Sequence, residues 1–440
     1  MYDSKHKDWS SLFGDVRSLL ASHEDDANTI SGDPWSLPVG RDTRRDSLLS
    51  ALTSESRSSN ADRHRAELVP YLDDYFQRHP RPVFDVYGSD DASGALATQS
   101  EHHPYALFSL RVEASWIDEV LSRADASKIH TLDMSPITGD GYAALDVLAR
   151  HGHLDELRSI TLPGVDFDRP LDALTRAKAF SHVTHLQVTT GTLRTASMAS
   201  IVDAPGAASL VSLSCTRPIL DDDGFAALFA SEHLAALRVL SLRFADTRGS
   251  DAFDILARAT GSTALLGLTH LDLQRTFFEK KAAALLASAP QLASLEHLNL
   301  DYNALSTKGA QSIARSGVLS NLEVLDVSSN GLGASGVQAL ADKKSALSAL
   351  THLNLFGNKP GMKGVVALAS SPSLTNLRHL SLESCELDDG DVAAFADAME
   401  LPALERIELR GQQLGSNTEL AMIKAGLSYD KATKVALRTP

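Results

Sequence analysis

The hydrophobic residues of this chain follow one short pattern that returns along most of its length. The pattern is Leu-x-x-Leu-x-Leu, with Ile or Val in some of the leucine places. Its eleven copies start 26 to 31 residues apart, at Ile129, Leu157, Val183, Leu210, Leu237, Leu268, Leu295, Leu322, Leu350, Leu377 and Leu404. A fixed period of this length predicts a solenoid, whose stacked repeats usually provide a binding surface and not a reaction centre.

The second half of each repeat has the pattern of a helix. An apolar side chain follows eight of the starts by eighteen residues, and a glycine is expected to open several helices, at Gly224, Gly309, Gly336 and Gly364. One strand and one helix bury too little apolar surface alone and become stable only against neighbouring copies. The pattern therefore predicts an α/β solenoid with a parallel sheet on one side and helices on the other.

In the most regular copies the pattern continues to an asparagine or a cysteine, at Asn303, Asn330, Asn358 and Cys385. With these residues the chain resembles the leucine-rich repeat superfamily, in particular its ribonuclease-inhibitor-like class with long helical repeats. The resemblance covers roughly residues 105–415 and is specific for residues 268–414. It implies a right-handed horseshoe or arc with a parallel concave sheet and convex helices. The first five copies are degenerate, with other residues in the Asn place: Ile137, Val165, Gly191, Pro218 and Ala245.

Composition restricts the possible partners. The chain has 440 residues, of which 43% are hydrophobic and 6% aromatic, so its core is built from Leu, Ala and Val. A net charge of -15 argues against nucleic acid or an anionic membrane as the main partner, because phosphate contacts need clustered Lys and Arg. No run approaches the ~18 apolar residues of a membrane span. We expect a cytoplasmic protein, with export as an effector as the alternative.

The two ends of the chain differ from the repeats. Residues 1–60 predict a helix over 8–22 followed by a flexible segment rich in Ser, Asp and Arg, and residues 61–104 predict a helical cap region with a helix over 61–78. The solenoid is assigned to 105–415, and 416–440 to a C-terminal cap or tail. Because a solenoid exposes its core at each end, we interpret the N-terminal helices as a cap, with a separate partner-binding module as the alternative.

The cysteines and the glycine-rich motif, which could carry chemistry, are each explained by the repeat structure. Cys215 and Cys385 lie at a strand position and at the Asn/Cys place, so both are expected to be buried and inert. Residues 331–336 match the dinucleotide-binding pattern G-x-G-x-x-G, but the repeat itself explains Leu332 and Gly336, and we predict no cofactor and no metal.

Histidines recur before the second leucine of several repeats. In parallel, in-register strands these side chains point away from the core, and His270 should lie beside His297 and His352 beside His379. Two imidazoles could share a metal, but a closed site needs more ligands, so we interpret them as polar, half-exposed residues of a crowded sheet.

The strand positions between the leucines predict the binding surface. They align a polar to acidic middle row on the concave face: Asp133, Thr161, Gln187, Ser214, Ser241, Asp272, Asn299, Asp326, Asn354, Ser381 and Glu408. Aromatic and Arg side chains dominate binding energies, so the predicted partner-binding residues near this row are Arg243, Arg275, Asp301, Tyr302, Phe356 and Glu383.

The sequence thus predicts non-enzymatic binding of a protein partner and does not specify its identity or the oligomeric state. Two alternatives stay open. One is a regulator of a small GTPase, as some similar repeat proteins are, and the other is an enzyme whose chemistry lies in residues 1–104.

Overall fold

The computed structural model describes residues 83–86, 92–102, 107–189, 191–247, 264–276 and 280–438. The helices predicted over 8–22 and 61–78 lie outside these residues, as does the whole of the segment 1–60. The domain boundaries at 60, 104 and 415 therefore stay predictions.

A single long sheet of fifteen strands runs through the described part of the chain. Neighbouring strands pair in parallel from the first to the thirteenth, in the order of the chain. In order across the sheet the strands are β1 Val83–Val86, β2 Leu107–Arg111, β3 Ile129–Asp133, β4 Ser159–Thr161, β6 His185–Val188, β8 Ser212–Thr216, β9 Val239–Arg243, β10 His270–Asp272, β11 His297–Asn299, β12 Val324–Asp326, β13 His352–Asn354, β14 His379–Ser381, β15 Arg406–Glu408, β17 Val435–Arg438 and β16 Leu427–Asp430. The predicted α/β solenoid with a long parallel sheet is confirmed.

Helices follow the strands and form a second layer. They are α1 Ala92–His102, α2 Ile117–Ser122, α3 Gly141–Arg150, α4 Asp172–Arg176, α5 Thr195–Val202, α6 Asp222–Ala230, α7 Lys280–Leu286, α8 Ser306–Ala314, α9 Gly333–Ala341, α10 Gly361–Ala369, α11 Asp389–Asp397 and α12 Ser416–Lys424. The glycines expected to open helices lie inside the first turn instead, as Gly364 does in α10. A Cβ at Gly364 would lie 2.7 Å from the Cβ of Pro360, so glycine is needed there for close packing.

The leucines of the pattern form the core between the two layers. In the repeat that starts at Leu295, the residues Leu295, Leu298, Leu300 and Leu305 are all at most 1% exposed. The helical position eighteen residues after the start is filled by Ile313, which is fully buried. Alternate strand residues therefore face the core, and the residues between them face the outside of the sheet.

Buried amides connect consecutive repeats. The Nδ2 of Asn330 donates to the carbonyl oxygens of Leu300 and Ser328, both at 2.8 Å. Its Oδ1 accepts from the backbone N–H groups of Asn303 and Leu305, at 2.9 and 3.2 Å. Asn303 and Asn358 make equivalent bonds, so the predicted Asn ladder satisfies loop backbone groups inside the stack.

The degenerate copies have a different arrangement at the Asn place. Ile137 and Ala245 are buried there as apolar residues. Gly191 lies so close to the carbonyl oxygen of Val165 that a Cβ would come within 2.2 Å of it. A separate two-stranded sheet of β5 Asp166–Phe167 and β7 Thr192–Leu193 joins the loops in this part of the stack.

The sheet begins before the first predicted repeat. Residues 61–104 were predicted as a helical cap region, but Val83–Val86 is a strand that pairs in parallel with Leu107–Arg111 and is followed by the helix Ala92–His102. The alternation in Val83-Phe84-Asp85-Val86 is the two-residue period of a strand, and the surrounding Pro, Gly and Asp residues concealed it.

At the other end, residues 416–438 form a helix and a β-hairpin. Its strand Val435–Arg438 pairs antiparallel with Arg406–Glu408. Leu427 and Ala436 of the hairpin are buried, at 2% and 0% exposure. The hairpin thereby covers the core beside the last repeat strand.

Candidate functional site

The middle row of polar residues forms as predicted on the concave face, the side of the sheet to which the non-leucine strand positions point. Each of its eleven residues is the register partner of the next, from Asp133 paired with Thr161 to Ser381 paired with Glu408. The parallel register therefore places all of them in one line across the sheet.

Asp and Asn in this row also end their strands. The Oδ1 of Asn299 accepts from the backbone N–H of Asp301 at 2.9 Å, and the Oδ1 of Asn354 accepts from that of Phe356 at 3.0 Å. Such bonds to the N–H two residues on are typical of Asx turns. This structural role was not predicted from the sequence, although Asp or Asn recurs at this position in several repeats.

The backbone turns immediately after these strands into a left-handed conformation. The residue with positive φ recurs at one place in eight successive repeats: Arg217, Phe244, Arg275, Tyr302, Ser329, Gly357, Ser384 and Gly411. These residues form a column along one edge of the concave face. We call this the left-handed column.

Arg275 contacts two other residues of the column, Phe244 and Tyr302. The Cζ of Arg275 lies 4.4 Å from the ring centroid of Tyr302 and 5.6 Å from that of Phe244. Phe244 is 39% exposed and Tyr302 is 48% exposed, so the stack lies at the surface. Arg275 and Tyr302 were predicted from the sequence, whereas Phe244 was missed, although it occupies the same repeat position as these two residues.

Arg243 and Asp301 lie beside this stack. The Nε of Arg243 donates to the Oδ2 of Asp272 at 2.5 Å, so the charge of Arg243 is already paired inside the chain. The Oδ2 of Asp301 accepts from the Nε2 of Gln274 at 2.7 Å. Among the described residues, Asp301 forms no ion pair.

Asp326 is, like Asp272, a buried carboxylate of the row. Its residue is 7% exposed, its Oδ2 accepts from the Nδ2 of Asn354 at 2.9 Å, and its Oδ1 accepts from the backbone N–H and the hydroxyl of Ser328. Burial raises the pKa of Asp326 to about 6, and the negative charge of Asp301 raises it further. The hydrogen bonds from Ser328 and Asn354 lower this pKa and offset part of the rise. No Lys or Arg in the described residues pairs with it.

The structure does not bring Phe356 and Glu383 into the Arg275 stack. Phe356 lies two strands from Tyr302 and is 41% exposed. Glu383 belongs to a separate group, in which its Oε1 accepts from Nε and Nη2 of Arg410 at 2.9 and 2.6 Å. Burial raises the pKa of Glu383, and the hydrogen bond from Arg410 opposes this.

The predicted histidine pairs are confirmed. The rings of His270 and His297 stack with centroids 4.0 Å apart, and those of His352 and His379 lie 4.3 Å apart. Burial and the neighbouring imidazoles lower the pKa of His297 and of His352 to about 4. Both rings are therefore neutral near pH 7. The described residues contain no group of three or more His, Cys, Asp or Glu side chains arranged to hold a metal ion.

The remaining sequence motifs belong to the repeat. Cys215 and Cys385 are buried, and burial raises the pKa of each thiol to about 12, so neither is a nucleophile near neutral pH. In the glycine-rich segment, Gly331 and Gly333 have positive φ and Leu332 is buried between them. Its backbone N–H donates to the Oδ1 of Asn358, so this turn is part of the Asn ladder.

Comparison with known protein families supports the repeat fold described above. A family model described as "Leucine Rich repeat" matches residues 291–314, 318–341 and 373–396. These matches and the long parallel sheet with its flanking helices show a leucine-rich repeat solenoid fold. No curated protein matches it. No helix in the described residues has the length and apolar character of a membrane span.

The solved structures that are similar to the chain include the following two. One is an internalin (inlF) from Listeria monocytogenes str. 4b F2365, with 16% identity, a TM-score of 0.34, and coverage of 72% of this chain and 70% of the internalin. The other is the TLR13–ssRNA13 complex, with 16% identity and a TM-score of 0.35, where the match covers 72% of this chain and 51% of the TLR13 chain.

Proposed function

We propose that this protein is a non-enzymatic, cytoplasmic recognition module that binds a protein partner on its concave face. Leucine-rich repeat domains generally mediate protein–protein interaction, and here the concave face offers exposed aromatic side chains beside paired and unpaired charges. Tyr302 and Phe356 are exposed by 48% and 41%, although apolar rings are usually buried in a solenoid with so few aromatic residues. This exposure is the observation that carries the proposal.

The proposed contact surface consists of Arg243, Arg275, Asp301, Tyr302, Phe356 and Glu383. Its aromatic residues supply large contact areas with few rotatable bonds, and the charged residues around them supply a polar rim. Between the strands of Tyr302 and Phe356 the floor is formed by Ser328 and Ser329, so the two rings stand above small side chains. A partner side chain can therefore insert between them.

We also propose that the repeats belong to the ribonuclease-inhibitor-like class. This is supported by α8, α9 and α10, each a helix of nine residues opposite a three-residue strand, within repeats of 27 to 28 residues. Helices of this length opposite the strands make the convex side wider than the strand side.

Replacing Tyr302 and Phe356 together with Ala tests the proposed function. If both rings are hot spots, we expect binding of the native partner, identified by pull-down and mass spectrometry, to weaken by roughly 2–4 kcal/mol. The variant should keep its fold, because neither ring is in the core. A partner that binds the double variant as tightly as the wild type, or whose footprint lies on the helices, would move the site away from this face.

A further inference from the structure

The left-handed column changes its chemistry halfway along the solenoid. Its first four residues are Arg217, Phe244, Arg275 and Tyr302, whereas the next four are small: Ser329, Gly357, Ser384 and Gly411. All eight positions have φ between +52° and +73°. Residues other than Gly and Asn adopt this conformation at a cost of roughly 1–2 kcal/mol each.

Large side chains are therefore present where the backbone favours glycine. Arg217, Phe244 and Tyr302 do not contribute to the core, since each of them is exposed. The left-handed backbone of these residues costs conformational energy, and burial of their side chains does not compensate for it. This points to a role of the side chains at the surface. The alternation of cation and ring indicates what that role is.

Arg275 lies between two rings. Phe244 belongs to the preceding strand and Tyr302 to the following one, so their contacts with the Arg275 guanidinium come from opposite sides. Rings on both sides displace water from the flat faces of the guanidinium and restrict its rotation. Within the described residues no carboxylate pairs with Arg275, so its N–H groups keep their capacity to bind one.

A guanidinium held in this way is prepared to bind a carboxylate. Its rigid N–H fork matches the two oxygens of a carboxyl group, and part of the entropy of ordering the side chain is already lost before binding. Arg217, one strand spacing beyond Phe244, adds a second exposed cation without an ion pair in the described residues.

We propose that Arg217, Phe244, Arg275 and Tyr302 form a docking strip for an acidic segment of the protein partner, with an Asp or Glu side chain bound to the in-plane N–H groups of Arg275. This inference rests on the proposed function and names the chemistry of one part of that interface. The expected complementarity is local, because Arg217 and Arg275 are cations without an ion pair in the described residues, on a face whose middle row carries Asp272 and Asp326.

A single-stranded nucleic acid is the other polymer that uses alternating rings and cations. The structure disfavours it here for two reasons. The faces of Phe244 and Tyr302 nearest to Arg275 are covered by the guanidinium, so a base cannot stack between them. The carboxylates of Asp301 and Asp326 lie next to the strip and repel a continuous phosphate backbone. A peptide, in contrast, can place one carboxylate on Arg275 and keep its other acidic groups away from Asp301 and Asp326.

The test is a fluorescence anisotropy titration of the full chain with three labelled probes. They are a short peptide of alternating glutamate and leucine, the same peptide with glutamine in place of glutamate, and a short oligouridylate. We expect the glutamate peptide to bind about tenfold more tightly than the glutamine peptide. Equal binding of the two peptides, or no binding of the glutamate peptide, would overturn the proposal, and tighter binding of the oligouridylate would replace it with a nucleic-acid surface.

Variants assign the effect to Arg275. In Arg275→Asn the left-handed backbone is well tolerated and the guanidinium is lost, and in Arg275→Lys the charge is kept but the fork is lost. We expect both to weaken binding of the glutamate peptide by about tenfold. The matched control is Arg315→Asn, which removes the same charge from an exposed position at the end of α8 on the helical side. If Arg315→Asn weakens binding as much as Arg275→Asn does, the effect is one of net charge and the docking strip is wrong.

The same variants separate this inference from the proposed function. A native partner that loses affinity for the Tyr302→Ala and Phe356→Ala double variant but binds Arg275→Asn normally would leave recognition by the concave face intact. It would overturn the carboxylate contact alone.

Discussion

Replacing Asn330 with Ala tests how the repeats are held together. The amide of Asn330 is 2% exposed and makes four hydrogen bonds to backbone groups of its own and the preceding repeat. Alanine removes all four without changing the leucine core. The backbone N–H groups of Asn303 and Leu305 then lose the acceptor that the structure gives them, at a depth that bulk water does not reach.

The magnitude follows from these two donors. A buried polar group left without a partner destabilises by roughly 1–3 kcal/mol, so two of them predict about 2–6 kcal/mol. If the lost Asn is counted as a single unpaired group, the expected loss is only roughly 1–3 kcal/mol. The carbonyl of Ser328 is less affected, because it also accepts from the backbone N–H of Tyr302 at 3.0 Å.

Urea denaturation of the full chain, followed by circular dichroism and by tryptophan fluorescence, measures the effect. The matched control is Asn321→Ala, since the Nδ2 of Asn321 makes one exposed bond, to the carbonyl of Ala293 at 2.9 Å. We expect the control to change the free energy of unfolding by about 1 kcal/mol or less. If Asn330→Ala unfolds at the same urea concentration as the wild type, the register assigned to the Asn ladder is refuted.

Two further predictions concern charge and the ends of the stack. Asp326→Asn should stabilise the protein by up to about 3 kcal/mol at pH 7. The pKa of Asp326 is about 6 in the folded protein and 3.8 ordinarily, so the folded wild type loses stability as the pH rises from about 4 to 6. The neutral amide of Asn does not ionise and avoids this loss. Chemical denaturation at pH 4 and pH 7 checks this, and a gain of the same size at both pH values would contradict it. Deleting residues 1–104 should expose the apolar edge of Leu107–Arg111 and cause aggregation, measured by light scattering, whereas a monomeric fragment as stable as the full chain would show that this region is not a cap.

Much of the fold could be predicted because it depends on a repeat. The period places the leucines of the pattern on the same face of each repeat. The structure of one strand–helix unit therefore predicts the structure of the neighbouring units. This is why the middle row and the pairing of His270 with His297 were predicted correctly. The same reasoning missed the strand Val83–Val86 and the small sheet of Asp166–Phe167 and Thr192–Leu193, because a strand this short carries too few residues to show a period.

The candidate site was only partly predictable. The positions of Tyr302 and Phe356 on the strand side follow from counting along the repeat, but counting does not show which side chains touch. Arg275 reaches Phe244 because the backbone of both residues is left-handed, and neither residue type indicates that conformation by itself.

By itself, the sequence determined the solenoid, its parallel register and the polar character of the concave face, because these follow from the spacing of apolar residues. Only the tertiary structure decided that Arg243 is neutralised by Asp272, that Arg275 has no carboxylate partner among the described residues, and that the pKa of Asp326 is raised. Those properties depend on burial and on contacts between repeats, which are set by the packing of neighbours up to 31 residues apart along the chain.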